Sequence, residues 1–450
     1  MDNSFVAQAV GLYKERYGLE VRNSRDLLRA QRQLLEFVVG VGREVEQQLF
    51  AEIGKGYEGP RLEKGGKEYR FVGYRGKKVQ GLFGQIRYER AYYACAGGGT
   101  AIPLDEKLGI EKQHTPAMQY FLASFTGRDP YGESLGRFHE IFRPVGRDLV
   151  SMRKALDMDY ELGERLELKR QQEIREVFEE GKPIATQRLI EGTMAVSIDA
   201  TKVREKLGES TTARGATSYE IGFRDAKIAA ISEVRWDKKR QEAHCRDSSY
   251  VTGIEHADEF FRRIWVEMMR RCPNPGRMRI VFLADGAEWI WDRIPTIANA
   301  DSICILDFYH ACEHLSELCK DLYGEGTAEY GKHFSRWRQK FLGGRVAPFL
   351  AELKGIRDTM SGSKRDMVQG QMNYFDANKA RMHYDRYIAM HLPIGSGTIE
   401  SGCKNVIGAR MKRSGMTWSP LGAAGMLQIR ASLASNRLLA DFQATLAQAA

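Results

Sequence analysis

The chain has 450 residues, 43% of them hydrophobic, and this length predicts two to four domains rather than one. Its net charge of +9 and pI near 9.0 favour a polyanionic partner. The seven cysteines include no C-x-x-C pair, and no apolar run approaches a membrane span, which argues against a disulfide framework, a thiolate zinc site and a membrane protein. The N-terminus lacks a basic segment followed by an apolar one, so we expect a soluble protein that stays in the cytoplasm.

Residues 1–56 are predicted to form an N-terminal helical region. An apolar stripe runs along it at helical spacing, and its members are Leu27, Leu34, Val38, Val41, Val45 and Leu49. Self-association is one use of such a stripe. Packing against the chain's own core is the alternative that we favour on sequence grounds.

Residues 57–115 predict a small, basic β-rich unit, because short alternating segments are separated there by glycines. Between Arg61 and Tyr93 there are nine lysines and arginines against three glutamates, with tyrosine and phenylalanine interleaved. Such a mixture suits contacts with a nucleic-acid backbone and stacking on bases. A solvated, twisted sheet with a tyrosine core explains it equally well.

Residues 116–180 predict helices, with breaks at GRDP (127–130) and RPVG (143–146) that are compatible with a helix-turn-helix. The charged run from Leu162 to Glu180 reads as a surface helix leading to a linker at 181–192.

From residue 193 the pattern becomes α/β. Strands are predicted at 193–199, 219–225, 227–236, 278–284 and 302–306, with helices at 257–271 and 287–299. Asp199 ends the first of these strands and Asp285 follows the fourth, while a further helix opens at Asp307. About eighty mostly helical residues, 311–392, then read as an all-helical insertion.

The segment 393–415 places one acid, Glu400, in the first turn of a helix, with Ser396 or Thr398 as the capping residue. A basic group follows that suits phosphate backbones and is predicted to bind DNA, namely Lys404, Arg410, Lys412 and Arg413. The plain alternative for Glu400 is an exposed pair with Lys404 one turn later.

Asp199, Asp285 and Glu400 together form a candidate metal site. Oxygen ligands suit Mg²⁺ or Mn²⁺, and two such ions roughly 3.5–4 Å apart support in-line phosphoryl transfer. Taken singly, Asp199 has the alternative of capping a turn, and Asp285 that of starting a turn or capping the next helix.

Four blocks resemble the transposases of the ISKra group of bacterial insertion sequences, and they are VSIDAT, LADGAEWIW, LDFYHACEHL and PIGSGTIESGCKNVIGARMKRSGMTW. The resemblance extends from about residue 57 to 437. It implies an RNase H-like catalytic domain of the DDE type at 193–310 and 393–437, interrupted by the insertion. It also implies that Asp199, Asp285 and Glu400 are the metal-binding triad, and that Asp307 and His310 match the D-x-x-H feature of Mutator-like relatives. The lone Cys95 departs from the paired cysteines of many members.

The resemblance therefore implies a DNA transposase that binds terminal inverted repeats, cuts them with Mg²⁺ or Mn²⁺, and joins the ends to target DNA. We expect it to act on double-stranded DNA as a homo-oligomer at the bacterial nucleoid. The alternatives are a DNA-binding protein with a vestigial triad, a nuclease that cuts without joining, and a zinc metallopeptidase. The last would use the H-x-x-E-H motif of His310, Glu313 and His314.

Overall fold

The structure is a computed structural model that describes residues 3–18, 20–110, 112–142, 149–211 and 217–447. The chain divides into two compact units, Met1–Arg165 with Leu438–Ala450, and Leu166–Arg437. A β-sheet lies in each unit and helices surround both, so the mixed α/β class is confirmed. The finer domain boundaries remain predictions.

The first unit contains a four-stranded antiparallel sheet in the order β1-β2-β3-β4, with helices before and after it. Its strands are β1 (Arg61–Lys64), β2 (Lys67–Gln80), β3 (Gln85–Ala94) and β4 (Thr100–Ala101). Its helices are α1 (Asn3–Tyr17), α2 (Ser24–Ile53), α3 (Pro103–Lys107), α4 (Pro116–Thr126), α5 (Tyr131–Phe142), the first part of α6 (Met152–Phe178) and a C-terminal helix (Leu438–Ala447).

Buried polar contacts hold this sheet together. Asp105 is buried, and its carboxylate accepts hydrogen bonds from Lys77 Nζ at 2.8 Å and Arg90 Nε at 2.9 Å. Tyr93 is fully buried and Tyr88 nearly so, whereas Tyr74 is exposed. The strands expected in residues 57–115 are present, and their tyrosines divide between a core role and the surface.

Two predictions from the helical part of this unit have definite outcomes. The break at 127–130 separates α4 from α5. The break at 143–146 lies outside the described residues. The apolar stripe of α2 is exposed from Leu27 to Leu49, so packing on the chain's own core is not what covers it.

The second unit contains a five-stranded sheet in the order β7-β6-β5-β8-β9. Its strands are β5 (Thr193–Thr211), β6 (Thr217–Asp237), β7 (Glu242–Gly253), β8 (Arg279–Ala284) and β9 (Ile303–Leu306). Its helices are the remainder of α6, α7 (Ala257–Arg271), α8 (Glu288–Trp291), α9 (Phe308–Tyr323), α10 (Ala328–Leu342), α11 (Val346–Asp358), α12 (Gly362–Asn378), α13 (Tyr384–Ala389), α14 (Gly397–Gly402), α15 (Ala409–Met411) and α16 (Pro420–Ala434). A π-helical segment, Cys403–Gly408, joins α14 to α15.

The pairing of the strands corrects three predictions. β5 and β6 form one long antiparallel hairpin, so the two strands expected at 219–225 and 227–236 are a single strand. Asp199 lies inside β5 rather than at its end, because β6 continues to pair with β5 beyond the point where β8 stops. β7, which the sequence did not reveal, pairs antiparallel with β6.

Helices in this unit also depart from expectation. The helix predicted at 287–299 is only the single turn of α8 followed by a 3-10 turn at Ile294–Thr296. The charged part of α6 is exposed on one side, at Glu164 and Arg175. Its other side pairs with α7, since Arg263 donates to Glu167 at 2.9 Å and Arg270 donates to Glu173 at 2.8 Å. These partners are distant in sequence, which is why the charge pattern alone suggested a surface helix.

Residues 311–392 are mostly helical, as predicted, and pack their apolar faces into the core of the five-stranded sheet. Trp337, Phe341 and Phe375 are fully buried in this cluster. Among the described residues, no helix combines the length and apolar character that crossing a membrane requires.

Candidate active site

Three aspartates stand side by side at one edge of the five-stranded sheet. β5 and β8 pair in parallel as far as Ile198 and Ala284, and the last residue of β8 pairs with the last residue of β9. The residues that directly follow these paired positions of β5, β8 and β9 are Asp199, Asp285 and Asp307. Because β5, β8 and β9 run parallel and their parallel pairing stops at the same level, this register brings three carboxylates into one row.

Asp199 is held by two hydrogen bonds. Its Oδ1 accepts the backbone N–H of Ala200 at 2.6 Å, and its Oδ2 accepts the thiol of Cys403 at 3.1 Å. Burial raises the pKa of Asp199, and the nearby Asp285 raises it further. Sequence reasoning missed Cys403 as part of the site, although its position three residues after Glu400 on a helix is a usable signal.

Asp285 is fixed through its backbone and the turn that follows. Its Oδ1 accepts the N–H of Ala287 at 3.0 Å, and its carbonyl accepts the indole N–H of Trp291 at 2.7 Å. A Cβ atom at Gly286 would overlap the ring of Tyr374, so the turn requires glycine. Trp291 therefore positions the loop that carries Asp285, a role that sequence reasoning did not assign.

Glu400 lies in the first turn of α14, as predicted, and is exposed. Ser396 stands at the N-cap position without a side-chain capping bond. Partial burial is the largest cause that raises the pKa of Glu400, and the negative charges of Asp307, Glu313 and Asp199 raise it further. Glu400 thus shares one electrostatic environment with the row of aspartates.

Close packing brings α14 onto the sheet beside Asp199. A Cβ atom at Gly402 would lie 3.1 Å from the ring of Tyr250 and 3.2 Å from Cδ1 of Ile228, so a larger residue would require these side chains to shift by a few tenths of an ångström. The π-helical segment that follows leaves backbone carbonyls without their usual partners. Arg430 compensates, since its Nε donates to the carbonyl of Val406 at 2.7 Å.

Asp307 has a different role from the other two aspartates in the row. It is buried, its Oδ1 accepts the backbone N–H of His310 at 2.7 Å, and its Oδ2 accepts the backbone N–H of Ser396. Both oxygens are thus engaged with the starts of two helices. Asp307 joins α9 to the loop before Glu400 and so positions that glutamate.

The four basic residues predicted to contact DNA separate into two groups. Lys404, Lys412 and Arg413 are exposed, and Lys412 Nζ donates to Thr201 Oγ1 at 2.8 Å. Arg410 is only 1% exposed, and its guanidinium lies 4.9 Å from the ring centre of Trp418. Its charge is therefore enclosed within the fold as described, which disfavours a contact between Arg410 and DNA, and the DNA contacts of all four residues remain predictions.

Oxygen atoms are the donors that this site offers, and carboxylate oxygens fit Mg²⁺ or Mn²⁺ better than softer metals. Within the described ranges, no three His, Cys, Asp or Glu side chains stand close enough to enclose an ion as they are placed. Burial raises the pKa of both Asp199 and Glu400, and the neighbouring carboxylates raise it further, as expected for acids that share a site.

The H-x-x-E-H histidines lie on one face of α9, with ring centres 5.2 Å apart. His310 Nδ1 is 3.2 Å from Glu313 Oε2, and His314 Nδ1 is 3.2 Å from Gln371 Oε1. The His314 ring also stacks on Tyr374 at 3.8 Å, and burial lowers its pKa. His314 is engaged with α12, which gives the peptidase alternative little support.

We expect the purified protein to carry no stoichiometric zinc, because His314 already has a hydrogen-bonding partner and, in the part of the chain that the structure describes, no third His, Cys, Asp or Glu joins the histidine pair in a metal-holding group. The measurement is elemental analysis of protein washed with a chelator. One zinc ion per chain that is lost in a His310→Ala, His314→Ala double variant would overturn this expectation. Retention of that zinc by the double variant would locate it elsewhere.

No protein-family model matches this chain, and no curated protein matches it either. The function of the chain is therefore inferred from two features: the arrangement of the acidic residues beside the five-stranded sheet, and the resemblance of the four sequence blocks to ISKra-group transposases.

Proposed function

We propose that this chain is a DNA transposase of the insertion-sequence type, with an RNase H-like catalytic domain of the DDE class. The observation that carries the proposal is the row of Asp199 and Asp285 on adjacent parallel strands, with Glu400 entering the same electrostatic environment from α14. The four sequence blocks that resemble ISKra-group transposases hold these three residues.

The order of the strands supports the RNase H-like assignment. Three consecutive strands pair antiparallel as β7-β6-β5, and β8 and β9 then extend the sheet parallel to β5. An RNase H-like fold is expected to have this meander followed by parallel strands. The first acid, Asp199, then lies on the central strand β5, and the second, Asp285, directly follows its parallel neighbour β8.

In this proposal Asp199, Asp285 and Glu400 would hold Mg²⁺ or Mn²⁺. When bound, these ions would polarise the scissile phosphate and activate the attacking oxygen. The chain's own residues position these acids. Cys403 donates its thiol to Asp199, and Trp291 donates its indole N–H to the carbonyl of Asp285 and so fixes the loop that carries it. Water would attack the phosphorus at each end and break the P–O3′ bond, which leaves a 5′ phosphate and a free 3′ hydroxyl. That hydroxyl would then attack a phosphorus of target DNA and break its P–O3′ bond, so that the target strand leaves with a new 3′ hydroxyl.

Exposed cations supply affinity for double-stranded DNA in two places. Lys404, Lys412 and Arg413 follow Glu400 and would bind phosphates close to the cut. In the first unit, Lys78 and Arg87 are exposed on β2 and β3, which favours residues 57–180 as the main reader of the terminal repeats.

The test is incubation of the full chain with labelled DNA that contains the ends flanking its own gene, in Mg²⁺, Mn²⁺ or Ca²⁺. We expect cutting at the ends and joining to a target plasmid in Mg²⁺ or Mn²⁺. Cutting without joined product would support the nuclease alternative. Binding with no cutting in any metal would support the vestigial-triad alternative and contradict the proposal.

A further inference from the structure

The N-terminal helix α2 carries an exposed seam with the spacing of a coiled coil. The seam positions follow one another at alternating intervals of four and three residues, and they are Leu27, Gln31, Leu34, Val38, Val41, Val45, Gln48 and Glu52. This spacing keeps one face turned toward a partner helix over several turns. Five of the positions are apolar, and those five are 38–54% exposed.

Other elements of the same unit pack on the two sides of this seam and leave it open. On one side, Tyr13 of α1 donates its hydroxyl to the carbonyl of Ala30 at 2.9 Å. On the other side, Phe50 packs on Tyr88 of β3 with ring centres 5.2 Å apart. α2 thus packs on α1 and on β3 while the seam stays exposed.

We propose that this seam binds the same seam of a second copy of the chain, with the two α2 helices antiparallel about a twofold axis. In the register that places Val38 against Val41 of the second copy, Leu34 faces Val45. The same register places Gln31 against Gln48, whereas the third polar seam position, Glu52, faces Leu27 at the end of the seam. One self-complementary patch then forms a closed dimer.

Charge favours this orientation over a parallel one. In a parallel pair each seam residue meets its own copy, so Glu52 lies against Glu52 and the two carboxylates repel. Outside the seam, residues 24–35 hold Arg25, Arg29 and Arg32 against one acid, whereas the acids predominate at 36–53. An antiparallel pair sets the basic part of one helix near the acidic part of the other.

The first experiment is sedimentation or light scattering of the full chain without DNA. We expect a species of twice 51.1 kDa. A Val38→Glu, Val45→Glu variant should dissociate at least about 100-fold more readily, since it buries four unpaired carboxylates per dimer. The matched control is Lys354→Gln, Lys364→Gln, which lowers the net charge by the same amount at exposed positions of α11 and α12, outside α2, and should leave the dimer intact. A wild-type mass of one chain, or an undiminished dimer in the glutamate variant, would overturn the proposal.

The second experiment tests the orientation by oxidative cross-linking. Leu34→Cys with Val45→Cys should give a covalent dimer in high yield, because these positions face each other. Leu34→Cys alone should not exceed the wild-type background, since the two copies of residue 34 lie about 16 Å apart in this register. Efficient cross-linking by the single variant would show a parallel pair. The dimer does not depend on the proposed function, so loss of DNA cleavage with the dimer retained would contradict that function alone.

Discussion

Replacement of Asp199 or Asp285 by asparagine, or of Glu400 by glutamine, is expected to abolish cutting of the DNA ends. The amide keeps the shape of the side chain and removes the negative charge that would hold the cation. A loss of several kcal/mol of charge stabilisation corresponds to a decrease of about 1,000-fold or more in rate. Binding of the ends should stay nearly intact, because phosphate affinity comes from Lys and Arg, and removal of an acid reduces repulsion.

The measurement is cleavage of a labelled end substrate in Mg²⁺ together with a gel-shift assay of the same variant. Glu313→Gln is the matched control, since Glu313 is exposed, adds to the field that raises the pKa of Glu400, and lies outside the triad. It should keep cleavage within about tenfold of wild type. Asp307→Asn should also do less harm than a triad variant, because the amide keeps one acceptor oxygen. Wild-type cutting by a triad variant would remove that residue from the site.

Glu267→Gln is expected to lower the stability of the second unit by about 3–5 kcal/mol. Glu267 is buried on α7, where its carboxylate accepts from Arg437 Nη1 at 2.6 Å and from Arg270 Nε at 3.2 Å. Glutamine would remove the counter-charge that Glu267 gives to both buried guanidinium groups, of which Arg270 keeps its second ion pair with Glu173. The cost of an uncompensated buried charge exceeds the net gain that the intact pair supplies.

The same residue predicts sensitivity to acid. Burial alone would raise the pKa of Glu267, but the charges of Arg437 and Arg270 outweigh it and lower the pKa from 4.5 to about 2. A carboxyl group whose pKa is lower in the folded state stabilises the fold above its unfolded pKa. That stabilisation is therefore present above pH 4.5 and is lost as the pH falls toward 2. The glutamine variant should lack this part of the pH dependence.

Tryptophan fluorescence during urea unfolding measures this effect in the second unit. All six tryptophans lie between Leu166 and Arg437, and they are Trp236, Trp265, Trp289, Trp291, Trp337 and Trp418. Glu317→Gln is the control, because Glu317 is exposed on α9 and its loss should change the free energy of unfolding by no more than about 0.5 kcal/mol. Equal stability of Glu267→Gln and wild type at pH 7 would contradict the importance of this buried network.

Patterns within a few residues of one another were sufficient to predict much of this chain. The apolar spacing located α7 at Ala257–Arg271, and the glycine turn with its capping position located Glu400 in the first turn of α14. Alternation and turn residues located the antiparallel sheet of the first unit. Each of these features depends on local backbone preference and on one repeating face, which are properties that a sequence displays directly.

Features of the site that depend on distant partners could not be read in this way. The register of β5, β8 and β9 aligns Asp199, Asp285 and Asp307, and a shift of one residue would separate them. The thiol that binds Asp199 comes from Cys403, 204 positions later. Which residues meet across such separations is decided by the packing of whole elements, and no local preference encodes it.

Burial is the second property that the sequence did not decide. The charge of Arg410 resembles that of Lys412 and Arg413 in a linear reading, yet packing against Trp418 encloses Arg410. One face of the charged half of α6 is likewise paired within the fold, because Arg263 and Arg270 of α7 neutralise Glu167 and Glu173. By itself the sequence determined which residues are charged, apolar or able to bind a cation and where most helices begin. Only the tertiary structure decided which charges reach solvent, because exposure depends on the neighbours that folding brings from elsewhere in the chain.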